Sequence, residues 1–428
     1  MEPDRSLALD DIRVGYRDFW QLPLEVREGA FETLRRERPV AWMEEDPIDE
    51  FPDWPQGPGF YAVTRHADIL TASKQPELFS SAKGITLQDG PEEFQEIANE
   101  FFNSMIGMDD PRHARLRKIV SGGFTPRMLA KVEVDVQASA DRIIDRIRDK
   151  GSCDFVTDVA ARLPLEIICD MMAVPPERYD DVFHASNIIL AGNDPEFAPP
   201  EGTDPIAYGF GAAMTLVNIM NEVIEARRGQ EGDDLTTALV NAEVDGERLT
   251  DAEIASFFIL LCVAGNETTR NAIGWGLHLL TEYPDQRKIW QDDFDEVAPT
   301  AVEEIVRISA PVIYMRRTVT RDGVRLGDVE LSENDKIGMF YWSANRDEAV
   351  FDEPYRFDVR RRPNDQLGFG GPGPHFCLGA HLARREITVM FRELFDKVPD
   401  IEATGPPDRL WNSFINGVKH LPAEFTPT

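Results

Sequence analysis

Apolar residues along this chain recur chiefly at helical spacing, and the longest such stretch runs from Thr250 toward Tyr283. Thr250 and Glu253 stand three apart, the spacing of a capping box. Pro284 ends the run. Roughly 32 residues at about 1.5 Å each would span roughly 48 Å, enough to cross a whole domain. Residues 257–263, FFILLCV, are apolar all round and predict a helix that crosses the core. The pattern breaks at residues 264–269, AGNETT. A glycine, an acid and two threonines are unfavourable in a buried helix. The Thr268 hydroxyl bonding back to the Ala264 carbonyl would bend it.

A second helical pattern covers residues 380–395, AHLARREITVMFRELF, with Leu382, Ile387, Met390 and Phe391 on one side. Just before it, Gly368, Gly370, Gly371, Pro372, Gly373 and Pro374 forbid regular structure. Residues 299–309, PTAVEEIVRIS, put Glu304 and Arg307 on one helix face. Residues 110–117, DPRHARLR, put His113 and Arg117 at i, i+4.

At 428 residues the chain has room for a sizeable core, and no repeat, low-complexity tract or Gly/Ser linker divides it. A single domain over 1–428 is expected. Residues 1–16 are polar and charged, so no signal peptide or membrane anchor is expected. The apolar run 257–264 is far short of the roughly 20 residues that span a bilayer. Four scattered cysteines suit a reducing, cytoplasmic setting. A formal charge of −32 excludes nucleic acid as a partner and fits a strongly soluble surface. The positive charge is clustered: Arg112, Arg115, Arg117 and Lys118; Arg316 and Arg317; Arg360, Arg361 and Arg362; Arg384 and Arg385.

The glycine- and proline-rich loop hands Cys377 to a helix start, where unpaired N–H groups favour a thiolate. Missing side chains let a flat ligand approach the backbone. The chemical reading is a thiolate that ligates a metal from one side; the plain reading is a small buried hydrophobe. Gly368, Gly370 and Gly373 also spell G-x-G-x-x-G. That dinucleotide fingerprint needs a buried strand before it, and RRRPNDQ precedes it here. Cys153, Cys169, Cys262 and Cys377 have no paired C-x-x-C spacing for zinc, and C-x-x-C-H for covalent haem is absent.

Residues 369–379, FGGPGPHFCLG, resemble the haem-binding loop of the cytochrome P-450 superfamily, and four further motifs follow suit. AGNET resembles A-G-x-[DE]-T of the oxygen-side helix, and DPRHARLR resembles D-P-x-H-x-x-x-R. Glu304 and Arg307 form E-x-x-R, followed by FDVRR at residues 357–361, and RRTVTRD at 316–322 matches a propionate segment. The resemblance covers nearly the whole chain. It implies a mainly α fold with a small β subdomain, the triangular prism type. The implied cofactor is heme b, iron protoporphyrin IX, with Cys377 as the iron ligand. Phe369 and Gly379 would complete the sulfur loop, while His113, Arg117, Arg317 and His375 would anchor the propionates. Gly265 would let haem and dioxygen come close, and Thr268 and Glu267 would relay protons. Glu304, Arg307 and Arg361 would form the buried network that fixes the fold around the cysteine. Two positions depart from the family pattern. Phe369 lies eight residues before the cysteine rather than seven, so one residue must bulge, and Gln366 stands where histidine is frequent.

The implied reaction is monooxygenation, using O2 and electrons from NAD(P)H. With no flavin or iron–sulfur segment fused, a ferredoxin and ferredoxin reductase are the implied partners, and Arg115, Lys118 and Arg384 the candidate docking cations. VAGNETTRNAI and GFGGPGPHFCLGAHLARRE closely resemble bacterial members that hydroxylate terminal methyl groups of methyl-branched fatty acids, isoprenoids and sterol side chains. Ile106, Leu260, Val263, Ala264, Val312 and Phe414 would then line an oily cavity, with core packing as the plain alternative. Met105, Phe210 and the loop 82–102 are candidate covers. A monoterpenoid or other small apolar substrate is the alternative within the class. A non-catalytic haem-binding sensor is the alternative outside it, and the intact Glu267 and Thr268 pair argues against that.

Overall fold

The computed structural model describes residues 2–47, 56–89, 104–191, 194–243 and 246–428. The long central helix forms where the pattern predicts it, in three joined parts: Asp251–Leu260, a π-helical stretch Leu261–Asn266, and Glu267–Glu282. Thr250 and Glu253 make the reciprocal capping box. The widened turn falls on the AGNETT break, as π-bulges do where a helix must depart from regular bonding. Thr268 donates its hydroxyl to the Ala264 carbonyl at 2.7 Å.

Other helices wrap this one. Pro205–Arg227 packs on Tyr179–Ala191 and on Asp251–Leu260, while Arg162–Met171 lies against the π-helical stretch. Ala380–Lys397 packs on Pro126–Asp145, Phe294–Ser309 and Glu267–Glu282. A Cβ at Gly276 would sit 2.6 Å from the Phe391 ring and 3.2 Å from Ile305, so the glycine permits that close helix crossing. The largest sheet has five strands, ordered Val40–Met43, Phe60–Val63, Lys336–Phe340, Tyr314–Val319 and Phe79–Ser80. Phe60–Val63 and Lys336–Phe340 run parallel and the other pairs antiparallel. Two two-stranded ribbons and a three-stranded sheet complete the β structure of the described residues. The mainly α expectation holds. Among the described residues no helix is long and apolar enough to cross a membrane.

The C-terminal ribbon, Asp408–Arg409 with Val418–His420, is tied down by charge. His420 Nδ1 bonds Asp154, and its Nε2 bonds Glu196 Oε1 at 3.0 Å. Only the imidazolium can donate from both nitrogens at once. Burial opposes the charged form, but the bonds to Asp154 and Glu196 outweigh it and hold the pKa above the ordinary 6.5. A raised pKa gives stability that is fully present below the unfolded value and is lost as pH rises through the folded one. Melting temperature should therefore fall as pH is raised from about 6 toward 9. His420→Gln should flatten the part of that fall due to this group. Parallel curves for the two proteins would remove His420 from the pH response.

Candidate active site

Glu304 and Arg307, on the helix Phe294–Ser309, are both wholly buried. Arg307 donates Nε to Glu304 Oε2 and Nη2 to Oε1, each at 2.8 Å. Arg361 donates Nε to both Glu304 oxygens at 3.1 Å, and Asn364 and the Asp358 amide add bonds of 3.1 and 3.0 Å. The remaining guanidinium hydrogens go to backbone: Arg307 to the carbonyls of Asn345, Pro354 and Arg356, and Arg361 to those of Asp352, Glu353 and Arg356. One carboxylate thus gathers the segment that leads into the cysteine loop. The structure brings Glu304, Arg307 and Arg361 together as expected.

The loop turns back on itself so that Cys377 N donates to Phe369 O at 3.0 Å. Gly370, at φ +85°, adopts the left-handed backbone that absorbs the extra residue. The helix Ala380–Lys397 begins three residues after Cys377. Burial pushes the Cys377 thiol pKa up, against the Gly379 amide and the guanidiniums of Arg117 and Arg384, which favour the ionised form. The Gly379 amide acts in the direction expected from sequence, and burial works against it. A bound metal cation would complete the deprotonation, because it removes the proton of a coordinating thiol.

Four cationic or imidazole groups collect beside the loop. His113 and His375 have ring centroids 4.3 Å apart, His113 Nδ1 faces Asp110 Oδ1 at 3.3 Å, and His375 Nε2 lies 3.1 Å from Ser81 Oγ. Arg117 donates to the Pro374 and Phe376 carbonyls at 2.8 and 2.7 Å, so it braces the loop itself. Arg317 is buried, and its Nη1 donates to the Arg316 carbonyl at 2.8 Å. No carboxylate among the described residues forms an ion pair with it. Burial, then Arg317, His113 and Arg117, push His375 down to about 3. Asp110 faces only His113, so Arg117, Arg317 and His375 have no carboxylate partner among the described residues, and such a concentration of donors is completed by an anion. Added to the cysteine sulfur and to Gly379, where a Cβ would meet nothing within 4 Å, it fits an iron porphyrin carrying two propionates. Cys377, His113, Arg117, Arg317 and His375 are the residues that would hold that group.

The central helix presents a stripe with helical spacing: Leu260 and Thr268 are half-buried and Ala264 exposed, although their neighbours Ile259, Asn266 and Thr269 are buried. Gly265 is not on this stripe. It is half-buried, and a Cβ there would lie 3.0 Å from Ile168 Cδ1, so its small size also serves the packing against Arg162–Met171. Glu267 is buried in an ion pair with Arg270 and accepts from Asn271 at 3.1 Å, and Arg270 reaches Asn187 at 2.9 Å. No hydrogen bond joins Glu267 to Thr268 among the described residues. Arg270 was missed from sequence, although it repeats the i, i+3 acid–arginine spacing of Glu304 and Arg307.

None of the six candidate lining residues is fully buried. Leu260 and Val263 edge the main apolar cluster, Phe414 a second and Val312 a third. Val312 bridges Ile415, and the Phe414 ring packs edge-on to Tyr314 at 5.3 Å. Ile106 lies in the short turn Met105–Gly107 and is half-buried. Of the candidate covers, Met105 is buried and Phe210 half-buried on Pro205–Arg227, while residues 90–102 of the loop 82–102 lie outside the described residues. Two of the expected docking cations are engaged within the chain: Arg115 pairs with Glu247 and Glu253, and Arg384 with Glu303.

A family model for cytochrome P450 matches residues 87–397. The chain belongs to the cytochrome P450 family. It is 48% identical over 428 residues to the methyl-branched lipid omega-hydroxylase of Mycobacterium tuberculosis, covering 99% of this chain and 97% of that relative. It is 36% identical over 400 residues to the steroid C26-monooxygenase of Mycolicibacterium smegmatis, covering 92% and 89%. Among solved structures, a Mycobacterium marinum cytochrome P450 in complex with pseudoionone superimposes with a TM-score of 0.89 at 41% identity, over 98% of this chain and 99% of that one. This P450 is an oxidoreductase that incorporates oxygen, with haem iron as its cofactor.

The buried network yields a direct prediction for the P450. Glu304→Ala leaves two guanidiniums buried without their counter-charge, a loss of about 3–5 kcal/mol. Expression should give apoprotein or aggregate, read from the ratio of haem absorbance to protein. Soluble, fully haem-loaded variant would contradict the assignment.

Proposed function

We propose that this P450 hydroxylates the terminal methyl group of methyl-branched fatty acids, isoprenoids or sterol side chains, as one catalytic unit over residues 1–428. The observation that carries the reading is the 48% identity, along nearly the full chain, to a methyl-branched lipid omega-hydroxylase. The apolar, partly exposed set Ile106, Leu260, Val263, Ala264, Val312 and Phe414 supports it, because a hydrocarbon gains about 25 cal/mol for each Å² it withdraws from water. A primary C–H bond is strong, so these side chains must hold the chain end-on rather than merely dissolve it.

Cys377 would supply the thiolate that holds the iron, and His113, Arg117, Arg317 and His375 would bind the propionates. When bound, haem supplies dioxygen binding and activation, with thiolate donation favouring O–O cleavage. Phe369 and Gly379 shape the loop around the sulfur. Thr268 is the only hydroxyl of the stripe formed with Leu260 and Ala264. Its oxygen can accept a proton from one side and its hydrogen can turn from the Ala264 carbonyl toward the cleft. Glu267, held by Arg270 and Asn271, brings protons to that turn of the helix. Asn266, buried beside it with an amide that has no protein partner, adds a donor and an acceptor.

Electrons come from NAD(P)H through a ferredoxin and its reductase. Lys118 and Arg117 line an open cleft of about 370 Å³ with Asp110, His113, Gly373 and Pro374, and these two cations against one acid beside the cysteine loop suit an acidic carrier. The four cysteines are free thiols, in keeping with a cytoplasmic setting.

Optical titration of the ferric holoenzyme tests the substrate class. A methyl-branched fatty acid, a farnesyl-type isoprenoid and a sterol should each shift the Soret band to shorter wavelength, saturably. A shift with a monoterpene alone would overturn the class and leave haem-thiolate chemistry intact. Thr268→Ala should continue to consume NAD(P)H while product falls by about 10²-fold. Unchanged product per NAD(P)H would remove Thr268 from proton delivery.

A further inference from the structure

The bulged cysteine loop is clamped by groups with no role so far: Glu303, Gln366 and Arg384. Glu303 and Glu304 are consecutive on one helix, yet their carboxylates serve different partners. Glu304 takes Arg307 and Arg361, while Glu303 takes Arg384 through Nε and, at 3.1 Å, through Nη2. Glu303 Oε2 also accepts from Gln366 Nε2 at 2.9 Å, and Gln366 Oε1 accepts from the Gly368 amide. Gln366 is the residue that stands where histidine is frequent, and here its amide ties the loop entrance to Glu303. Arg384 in turn lies over the Phe369 ring, 4.3 Å from its centroid. Phe369 gives its carbonyl to Cys377 N at 3.0 Å, and the Gly370 amide bonds the Leu367 carbonyl at 2.9 Å. The extra residue is thus taken up at Gly370, and Phe369 regains direct contact with the cysteine.

We propose that Arg384, oriented by Glu303, is a positioning residue that holds Phe369 against the cysteine loop and sets how strongly Cys377 donates to the haem iron. The proposal rests on Cys377 as the iron ligand and goes beyond the substrate reading. A guanidinium over an aromatic face is attracted by the ring quadrupole, and this one is fixed by a two-point carboxylate contact. Its positive charge favours electron density that has moved toward the sulfur and iron. Glu303 offsets that charge from the far side of the guanidinium.

The two members of the pair therefore act with opposite sign on the ferric/ferrous couple. Removing a positive charge near the iron disfavours the incoming electron, and removing a negative charge favours it. The experiment is the reduction potential of substrate-free holoenzyme for the wild type, Arg384→Gln, Glu303→Gln, the double variant and Arg384→Lys. Each protein is checked by the red-shifted Soret band of the thiolate-ligated ferrous carbonyl complex. Arg384→Gln should lower the potential, Glu303→Gln should raise it, and the double variant should return close to the wild type. Arg384→Lys keeps the charge without the fork, so its potential should stay near the wild type while its carbonyl complex loses thiolate ligation faster. If Arg384→Gln loads haem poorly, Glu303→Gln and Arg384→Lys still decide the sign. Shifts of the same sign for both single variants, or none, would overturn the proposal and leave only a structural brace. Absence of the red-shifted band in the wild type would instead remove the thiolate premise, and the proposal with it.

Discussion

A single buried carboxylate, Glu304, receives two guanidiniums, and the geometry of the cysteine loop follows from that meeting. Charges taken out of water are held only where every partner is supplied, and here Arg307 and Arg361 also donate to backbone carbonyls of residues 345–356. The segment that would otherwise be a long irregular connection is thereby fixed to Phe294–Ser309. Asn364, bonded to the same carboxylate, lies a few residues before the loop that ends at Cys377. Glu303, the next residue along the helix, reaches the loop directly through Gln366 and the following helix through Arg384. Two adjacent acids thus carry the fold's constraint to the sulfur.

The site has a charged part and an apolar part. Of the donors His113, Arg117, Arg317 and His375, only His113 meets an acid among the described residues, Asp110, an arrangement that costs stability unless an anion joins it. Leu260, Val263, Val312 and Phe414 offer hydrocarbon from the margins of three separate apolar clusters. A boundary where clusters meet can enclose a long apolar molecule without opening a hole in any one core. The strong negative charge of the chain does not enter the site, where the acids that matter are each paired: Glu267 with Arg270, Glu303 with Arg384, Glu304 with Arg307 and Arg361.

Much of this was legible in the sequence because it rests on local spacing. The capping box at Thr250, the back-bond of Thr268, the face shared by Glu304 and Arg307, and the residue that Gly370 absorbs all depend on neighbours within a turn or two. The π-helical stretch was not legible in form, since six residues are too few to separate its period from that of an α-helix. The protein neighbour of Gly265 was not legible, because a missing side chain does not say which neighbour it admits, and that neighbour, Ile168, lies on another helix. The five-stranded sheet joins strands near residues 40, 60 and 80 to strands near 315 and 338, a pairing no local pattern encodes. Arg115 and Arg384 look like free surface cations in a string of letters. Their partners, Glu247 and Glu303, are 132 and 81 residues away.

The most direct test of the central claim is the isotopic composition and position of the oxygen in the product. Purified holoenzyme, a ferredoxin with its reductase, NAD(P)H and a methyl-branched fatty acid are incubated under isotopically labelled dioxygen, and the product is analysed by mass spectrometry. The expected result is a primary alcohol at the chain terminus carrying one labelled oxygen atom. Label absent from the product would contradict the monooxygenase chemistry, and a labelled hydroxyl confined to in-chain carbons would contradict the end-on binding proposed for the apolar cleft.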